Sequence, residues 1–418
     1  MLRAARPLRV LVATDTYPPD VNGAAYFTHR LAEGLAARGH LVHVLCPSAQ
    51  GPPHVSVAGG VTEHRVRSAR IPFQPTMRAA LPLGSGGHVD RLLARFAPDV
   101  VHVQSHFTLS RTVLARAQAT GIPTVLTNHF MPDNLYAHAR VPRSLQSAAG
   151  SLAWHDMIRV AEQADHVTTP TPRASRLLRE QGLSRQVEAV SCGIDLERFH
   201  PRASERSAAR ARLGVPDRDS IVFVGRLDEE KRIDELVRAL ALLTTDLDAQ
   251  LVLAGTGQRE GELSELARVL GVRERVRFLG FVPDESLPSV YVAGDVFAIA
   301  GVAELQSIAT LEAMSTGLPV VAADAMALPH LVIEGRNGYL FPSGEVEVLA
   351  DRLRAVLSSR AERGFLGAAG REMAAEHDHR RSLERFESLY AQLSGAVSAS
   401  GTSGEVTRSD RYERIVQG

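Results

Sequence analysis

The stretch "SIVFVGRLDEEKRIDELVRALALLTTDLDAQLVLAG", residues 220–255, changes its apolar period twice. It opens on a continuous apolar run, Ile221–Val224, of strand length. "IDELVRALALL" (233–243) then spaces its apolar residues by threes and fours, like one face of a helix. "AQLVLAG" (249–255) returns to a continuous run. Strand, helix and strand in this succession form a βαβ unit. Strands apolar on both sides predict a parallel sheet covered by helices.

The pattern extends in both directions. Downstream come a helix over 260–270, "VRFLGFV" (276–282), "VFAIA" (296–300), a helix over 307–316 and "PVVAAD" (319–324). Upstream a separate series starts with "LRVLVATD" (8–15), the helical "AAYFTHRLAEGLAARGH" (24–40) and "LVHVLCP" (41–47). It continues through "PDVVHVQS" (98–105), "IPTVLTNH" (122–129) and "DHVTTPT" (165–171). The polar "HPRASERSAARARLG" (200–214) separates the two. The expected fold is α/β, with two Rossmann-like doubly wound domains facing a central cleft. Its parts are a first domain over 1–195, a linker over 196–216, a second domain over 217–378, a helix over 379–394 and a disordered Ser/Gly-rich tail over 395–418. A chain of 418 residues is long enough for two cores.

Composition narrows the classes. No apolar run reaches the roughly 18 residues of a membrane span. Cys46 and Cys192 make neither a disulfide framework nor a metal cluster, and the expected compartment is a reducing cytoplasm. Residues 1–200 carry 21 Arg against 14 Asp and Glu, hence +7; residues 201–418 carry 26 basic against 33 acidic residues, hence −7. The asymmetry fits a partner surface on the first half or two ordinary solvated surfaces. No aromatic-interleaved basic patch points to nucleic acid. Residues 63–83 mix four arginines with Ile71, Phe73 and Met77, which fits an anionic bilayer or an ordinary loop and helix packed on the domain.

Ligands of doubly wound sheets sit beyond the carboxyl ends of the strands. Arg226 and Lys231 follow the strand that ends at Gly225, and Lys231 is the only lysine of the chain. The two cations could clamp a diphosphate, Arg as a fork and Lys as a point charge, or form a solvated charged turn. Gly255 and Gly257 allow close backbone approach after the next strand, a weak signal. In "AELQSIATLEAMSTGLPVV", Glu304 precedes a helix opened by Gln306, Ser307 and Ile308, whose free N–H groups favour phosphate. Glu312 lies roughly 12 Å further along at helical rise. Two carboxylates flanking anion-binding amides suit a sugar nucleotide; the alternative is a surface glutamate and a helix-face glutamate. "DLD" (246–248) lies at the entry of a strand and reads as a loop, so no metal is implied. His102 reads as structural, and His106 faces the cleft or packs.

In this order, "GRLDEEK", "AGTGQ" and "ELQSIATLEAMSTGLPVVAAD" resemble the donor half of glycosyltransferase family 4, retaining enzymes of the GT-B fold. "TYPPDVNGAAYFTHRLAEGLAARGH" is similar to its N-terminal glycine loop, and "SCGIDLERFHP" to its interdomain segment. The resemblance spans about residues 8 to 394. It implies that Arg226, Lys231, Glu304 and His129 carry the chemistry. Arg226 and Lys231 would hold the donor diphosphate, Glu304 the sugar hydroxyls, and Glu312 the ribose. Gly23, Gly225, Gly255, Gly257, Phe281, Gln306, Ser307 and Ile308 would complete the donor site. Asp20, Asn22, Phe130, Asp133 and Asn134 would face the acceptor. Departures are Gly23-Ala24 for Gly-Gly, Cys192 for Asn, Thr256 for Asp, and "IAGVAE" for a Pro-Ser run.

Residues 127–160 and "ELQS" also resemble bacterial lipid glycosyltransferases, including diacylglycerol glucosyltransferases. The implied activity is α-glycosyl transfer of a hexose from a UDP-glucose or GDP-mannose type donor to a membrane lipid. Peripheral membrane contact through the basic half, no cofactor and no metal are part of that expectation. The alternatives are a soluble sugar, glycan precursor or metabolite as acceptor, a sugar-nucleotide epimerase of the same fold, or a silent binding protein.

Overall fold

A computed structural model describes residues 6–71, 74–81, 85–131 and 143–396. In chain order the first ten strands are β1 (Arg9–Ala13), β2 (Leu41–Pro47), β3 (His54–Ala58), β4 (Val61–Val66), β5 (Ser68–Ile71), β6 (Gln74–Ala80), β7 (Val100–Val103), β8 (Thr124–Thr127), β9 (His166–Thr169) and β10 (Val187–Ala189). All but β5 and β6 join one sheet in the order β10-β9-β8-β7-β1-β2-β4-β3. Its pairings are parallel except β3 against β4. The second sheet is β13-β12-β11-β14-β15-β16, wholly parallel, from β11 (Asp219–Val224), β12 (Ala249–Ala254), β13 (Val276–Gly280), β14 (Val296–Ile299), β15 (Val320–Ala323) and β16 (Gly338–Phe341).

The continuous apolar runs are buried throughout, as in β7, β12, β14 and β15, because helices cover both faces. Each sheet reverses its strand order once, between β1 and β7 in the first and between β11 and β14 in the second. The loops after such strands diverge and leave a crevice at the carboxyl edge. In the second sheet those loops are 225–232 and 300–307, which contain Arg226, Lys231 and Glu304.

One part of the chain differs from the sequence expectation. Residues 61–66, 68–71 and 74–80 are strands, not a loop and a helix: β4 sits inside the sheet, and β5 and β6 pair antiparallel. Two of the four arginines there serve the fold. Arg65 is bound by Glu63 and by the Pro18 carbonyl, and Arg78 donates to the Ser68 hydroxyl and carbonyl. Arg67 and Arg70 stay exposed, and Phe73 lies outside the described residues.

The helix His379–Leu393 does not stay with the second domain. Its Leu383, Phe386, Leu389 and Tyr390 enter the core formed by Leu8, Val10, Val12, Val100 and Val125 of the first sheet. A bridge between Ile194 and Asp378 marks where the outgoing and returning chains cross. Residues 397–418 of the expected tail lie outside the described residues.

Candidate active site

The crevice of the second sheet is built first by backbone. Gly225 at φ 154° and Gly255 at φ 140° occupy conformations that a side chain would strain. A Cβ on Gly255 would overlap the Gly225 carbonyl, and one on Gly257 would overlap the backbone of Leu227. These glycines let the two loops pack against each other, joined by Leu227 N–H to the Thr256 carbonyl at 3.0 Å. The close approach expected for a ligand is therefore taken by neighbouring backbone.

The charged groups are already paired. Arg226 donates to Asp228 and, at 2.7 Å, to Glu230 Oε1. The Lys231 Nζ donates to Glu304 Oε1 at 2.5 Å, across the reversal between β11 and β14. That contact and the Val302 N–H donated to the Glu230 carbonyl at 3.1 Å join the two diverging loops. Asp246 and Asp248 pair instead with Arg354 and Arg275 at the amino end of β12. Among the described residues, no group of three or more His, Cys, Asp or Glu could hold a metal.

The helix Ile308–Thr316 begins at Ser307, whose hydroxyl accepts from Thr310 N–H, and ends at Gly317 in the left-handed region. Among the described residues the N–H groups of Ile308 and Ala309 make no hydrogen bond. Helical rise over the whole interval from Glu304 does not hold, because Glu304 to Gln306 form a loop. Glu312 is buried, and its Oε2 accepts from the Tyr291 hydroxyl at 2.7 Å. Burial pushes its carboxyl up to about 7, against the opposing pull of Tyr291, Arg30 and Arg198.

The first domain reaches this crevice. Ile308 Cδ1 lies 3.6 Å from where a Cβ on Gly23 would stand. The Thr171 hydroxyl donates to the Leu305 carbonyl at 2.9 Å, and Leu305 itself packs in the first domain's core. Gln306 spends both ends of its amide on that domain, accepting from Cys192 N–H at 2.7 Å and donating to the Ser191 hydroxyl at 3.0 Å. It fastens the loop, so the expected donor contact of its side chain competes with this anchorage.

Residues 205–373 match the family described as glycosyl transferases group 1, and residues 21–198 match Glycosyltransferase Family 4. A D-inositol 3-phosphate glycosyltransferase of Saccharomonospora viridis is 32% identical over 93% of this chain and 92% of its own length. The chain belongs to glycosyltransferase family 4. Sulfoquinovosyl transferase SQD2 of Arabidopsis thaliana is 28% identical over 79% of the chain, which spans 64% of that relative. The structure of sucrose-phosphate synthase from Thermosynechococcus elongatus aligns with a TM-score of 0.78 at 23% identity, over 94% of this chain and all of that one. The expected GT-B fold is the observed one.

In this glycosyltransferase the remaining predicted residues fall into four groups. Asn22 caps the helix Gly23–Ala37 through Ala25 N–H, and Asp20 accepts from the Thr16 hydroxyl at 3.0 Å, so both shape the glycine loop. His129 stands at the end of β8, with Nε2 on Gln104 Oε1 at 2.9 Å and Nδ1 4.0 Å from the Cys192 sulfur. Burial pushes the His129 imidazole down to about 3, so it is neutral near pH 7. Phe130 packs on His106 and Phe107, and Phe281 is exposed beyond β13. Asp133 and Asn134 lie outside the described residues, as does much of the expected acceptor segment.

His106 packs rather than opening to the cleft: it is buried, and its imidazole is held down to about 4 by desolvation. His102 is structural, bound at 2.6 Å by both Tyr390 and Thr127. Sequence reasoning missed Tyr291, Arg198, Arg30 and Gln104. Each acts through a partner distant along the chain, so no local pattern could signal it.

Proposed function

We propose that this glycosyltransferase moves a hexose from a UDP- or GDP-sugar to an acceptor hydroxyl with retention, giving an α-glycoside. The observation that carries the reading is the Lys231–Glu304 contact across the strand reversal. It puts a mobile ammonium beside a carboxylate, where a diphosphate and the sugar attached to it would lie. Arg226, Lys231 and the open N–H groups of Ile308 and Ala309 would stabilise charge growing on the leaving diphosphate. Glu304 would accept from sugar hydroxyls once the diphosphate takes over Lys231. Neutral His129 would contact the sugar without taking a proton. The leaving phosphate would guide the incoming hydroxyl on the same face, and no resident metal enters this scheme.

The acceptor is the finer part of the proposal. A membrane lipid such as diacylglycerol is supported by the resemblance of residues 127–160, by the +7 balance of the first 200 residues and by exposed Arg67 and Arg70. A soluble inositol phosphate is the second reading, supported by the name of the 32% identical relative. No helix among the described residues is long and apolar enough to cross a membrane. The test incubates the protein with UDP-glucose or GDP-mannose, together with diacylglycerol-containing vesicles or D-inositol 3-phosphate. Sugar label in the organic extract supports the lipid, and label on the polyol the soluble acceptor. Proton NMR of the product reads the anomer, and a β-linkage refutes retention.

A further inference from the structure

Tyr291 sits on the short helix Leu287–Ala293, immediately before β14. The ring is fully buried, edge-on to Phe199 at 5.8 Å and tilted against Phe297 at 6.1 Å. With the ring held between the interdomain segment and β14, its hydroxyl donates to Glu312 Oε2 at 2.7 Å. Glu312 Oε1 accepts no hydrogen bond among the described residues. The groups facing this carboxyl are Tyr291 and Asp284 from the second domain, Arg198 from the interdomain segment, and Tyr26 and Arg30 from the helix Gly23–Ala37.

We infer that Tyr291 is a positioning residue: it fixes the Glu312 carboxylate with one oxygen presented to the ribose hydroxyls of the donor. This rests on the ribose-binding role given to Glu312 in the donor reading. A carboxylate accepts from two adjacent hydroxyls only when ionised, and this one is buried. A donated hydrogen bond favours the ionised form, so the tyrosine keeps the acceptor available at neutral pH and fixes its orientation. Phenylalanine at this position would keep the ring packing and remove only the hydroxyl.

The test titrates UDP and GDP by calorimetry into the parent, Tyr291→Phe, Glu312→Gln and the double variant, after thermal melts establish that each is folded. Without the hydroxyl the Glu312 carboxyl titrates higher still, so Tyr291→Phe loses several-fold more nucleotide affinity near pH 6 than near pH 8. In the Glu312→Gln background the second substitution has no further effect. A loss equal at both pH values, no loss at all, or additive losses in the double variant would overturn the positioning role. Failure of the parent to bind either nucleotide would instead overturn the donor reading beneath it.

Discussion

Lys231 is the one ammonium in a chain whose other 46 basic side chains are guanidinium groups, and it bridges the crevice of the second sheet to Glu304. A compact charge on a flexible stem can leave Glu304 for a phosphate without a fixed fork geometry; arginine cannot do so as readily. Lys231→Ala should lower turnover at saturating donor by roughly a hundredfold or more, the usual effect of removing one donor to a developing anion. Lys231→Arg should recover little of it. Steady-state rates decide, and full activity of the arginine variant would refute the role. The sequence disclosed this residue by composition and by its place after a strand. It could not disclose that Glu304 holds it, since 73 residues separate them.

Glu312 carries an opposite cost. Its folded carboxyl titrates at about 7 against an ordinary 4.5. Such a group contributes stability below the unfolded value, which is lost as pH rises through the folded one. Glu312→Gln should therefore melt higher than the parent near pH 8 while binding donor nucleotide more weakly. Differential scanning calorimetry beside nucleotide titration checks both. A lower melting temperature near pH 8 would contradict the assignment of burial as the cause.

At the scale of elements, the helix His379–Leu393 shows what periodicity reveals and what it conceals. Its apolar spacing was legible as a helix, but nothing in that spacing names the surface it covers. The partner is the first sheet, nearly the full chain away, where Phe386 lies between Phe27 and the His102 ring. Phe386→Ala should cost about 3–5 kcal/mol, the usual range for a buried aromatic cut to alanine. Because the helix returns from the second domain, the loss should appear in the unfolding of the first. Urea melts followed at Trp154, in the first domain's core, would read it directly. A change under about 1 kcal/mol would show that the helix only rests on the surface. The strands of residues 61–80 escaped notice for the converse reason. Their arginines and His64 hide a half-buried alternation that only cross-strand pairing, β4 with β2 and β5 with β6, makes sense of.

At the scale of the whole molecule, the two-sheet architecture was readable because parallel strands buried on both faces leave a continuous apolar signature. The histidines were not, because their burial depends on what folds over them. Eight among the described residues are held down mainly by desolvation, among them His43, His106 and His377 to about 4 and His129 to about 3. They lie in both halves and at the crossing, where His377 meets the Ser191 hydroxyl at 2.9 Å. A base whose folded pKa is depressed contributes stability present above its unfolded value near 6.5 and lost as pH falls through the folded one. The unfolded chain takes up these protons first, so acid draws the equilibrium toward it. The melting temperature should thus fall between about pH 6.5 and 5, above the range where the unfolded chain also begins to protonate carboxyls that are strongly paired in the fold, such as Asp156 and Glu188, held to about 2. Raised carboxyls such as Glu312, Asp20 and Asp219 work against this slope, but the depressed histidines outnumber them. The His377 contribution is separable, since His377→Gln keeps a side chain able to hydrogen-bond Ser191 and removes one titration. That variant should show a shallower acid slope than the parent, and an unchanged slope would place the acid sensitivity elsewhere.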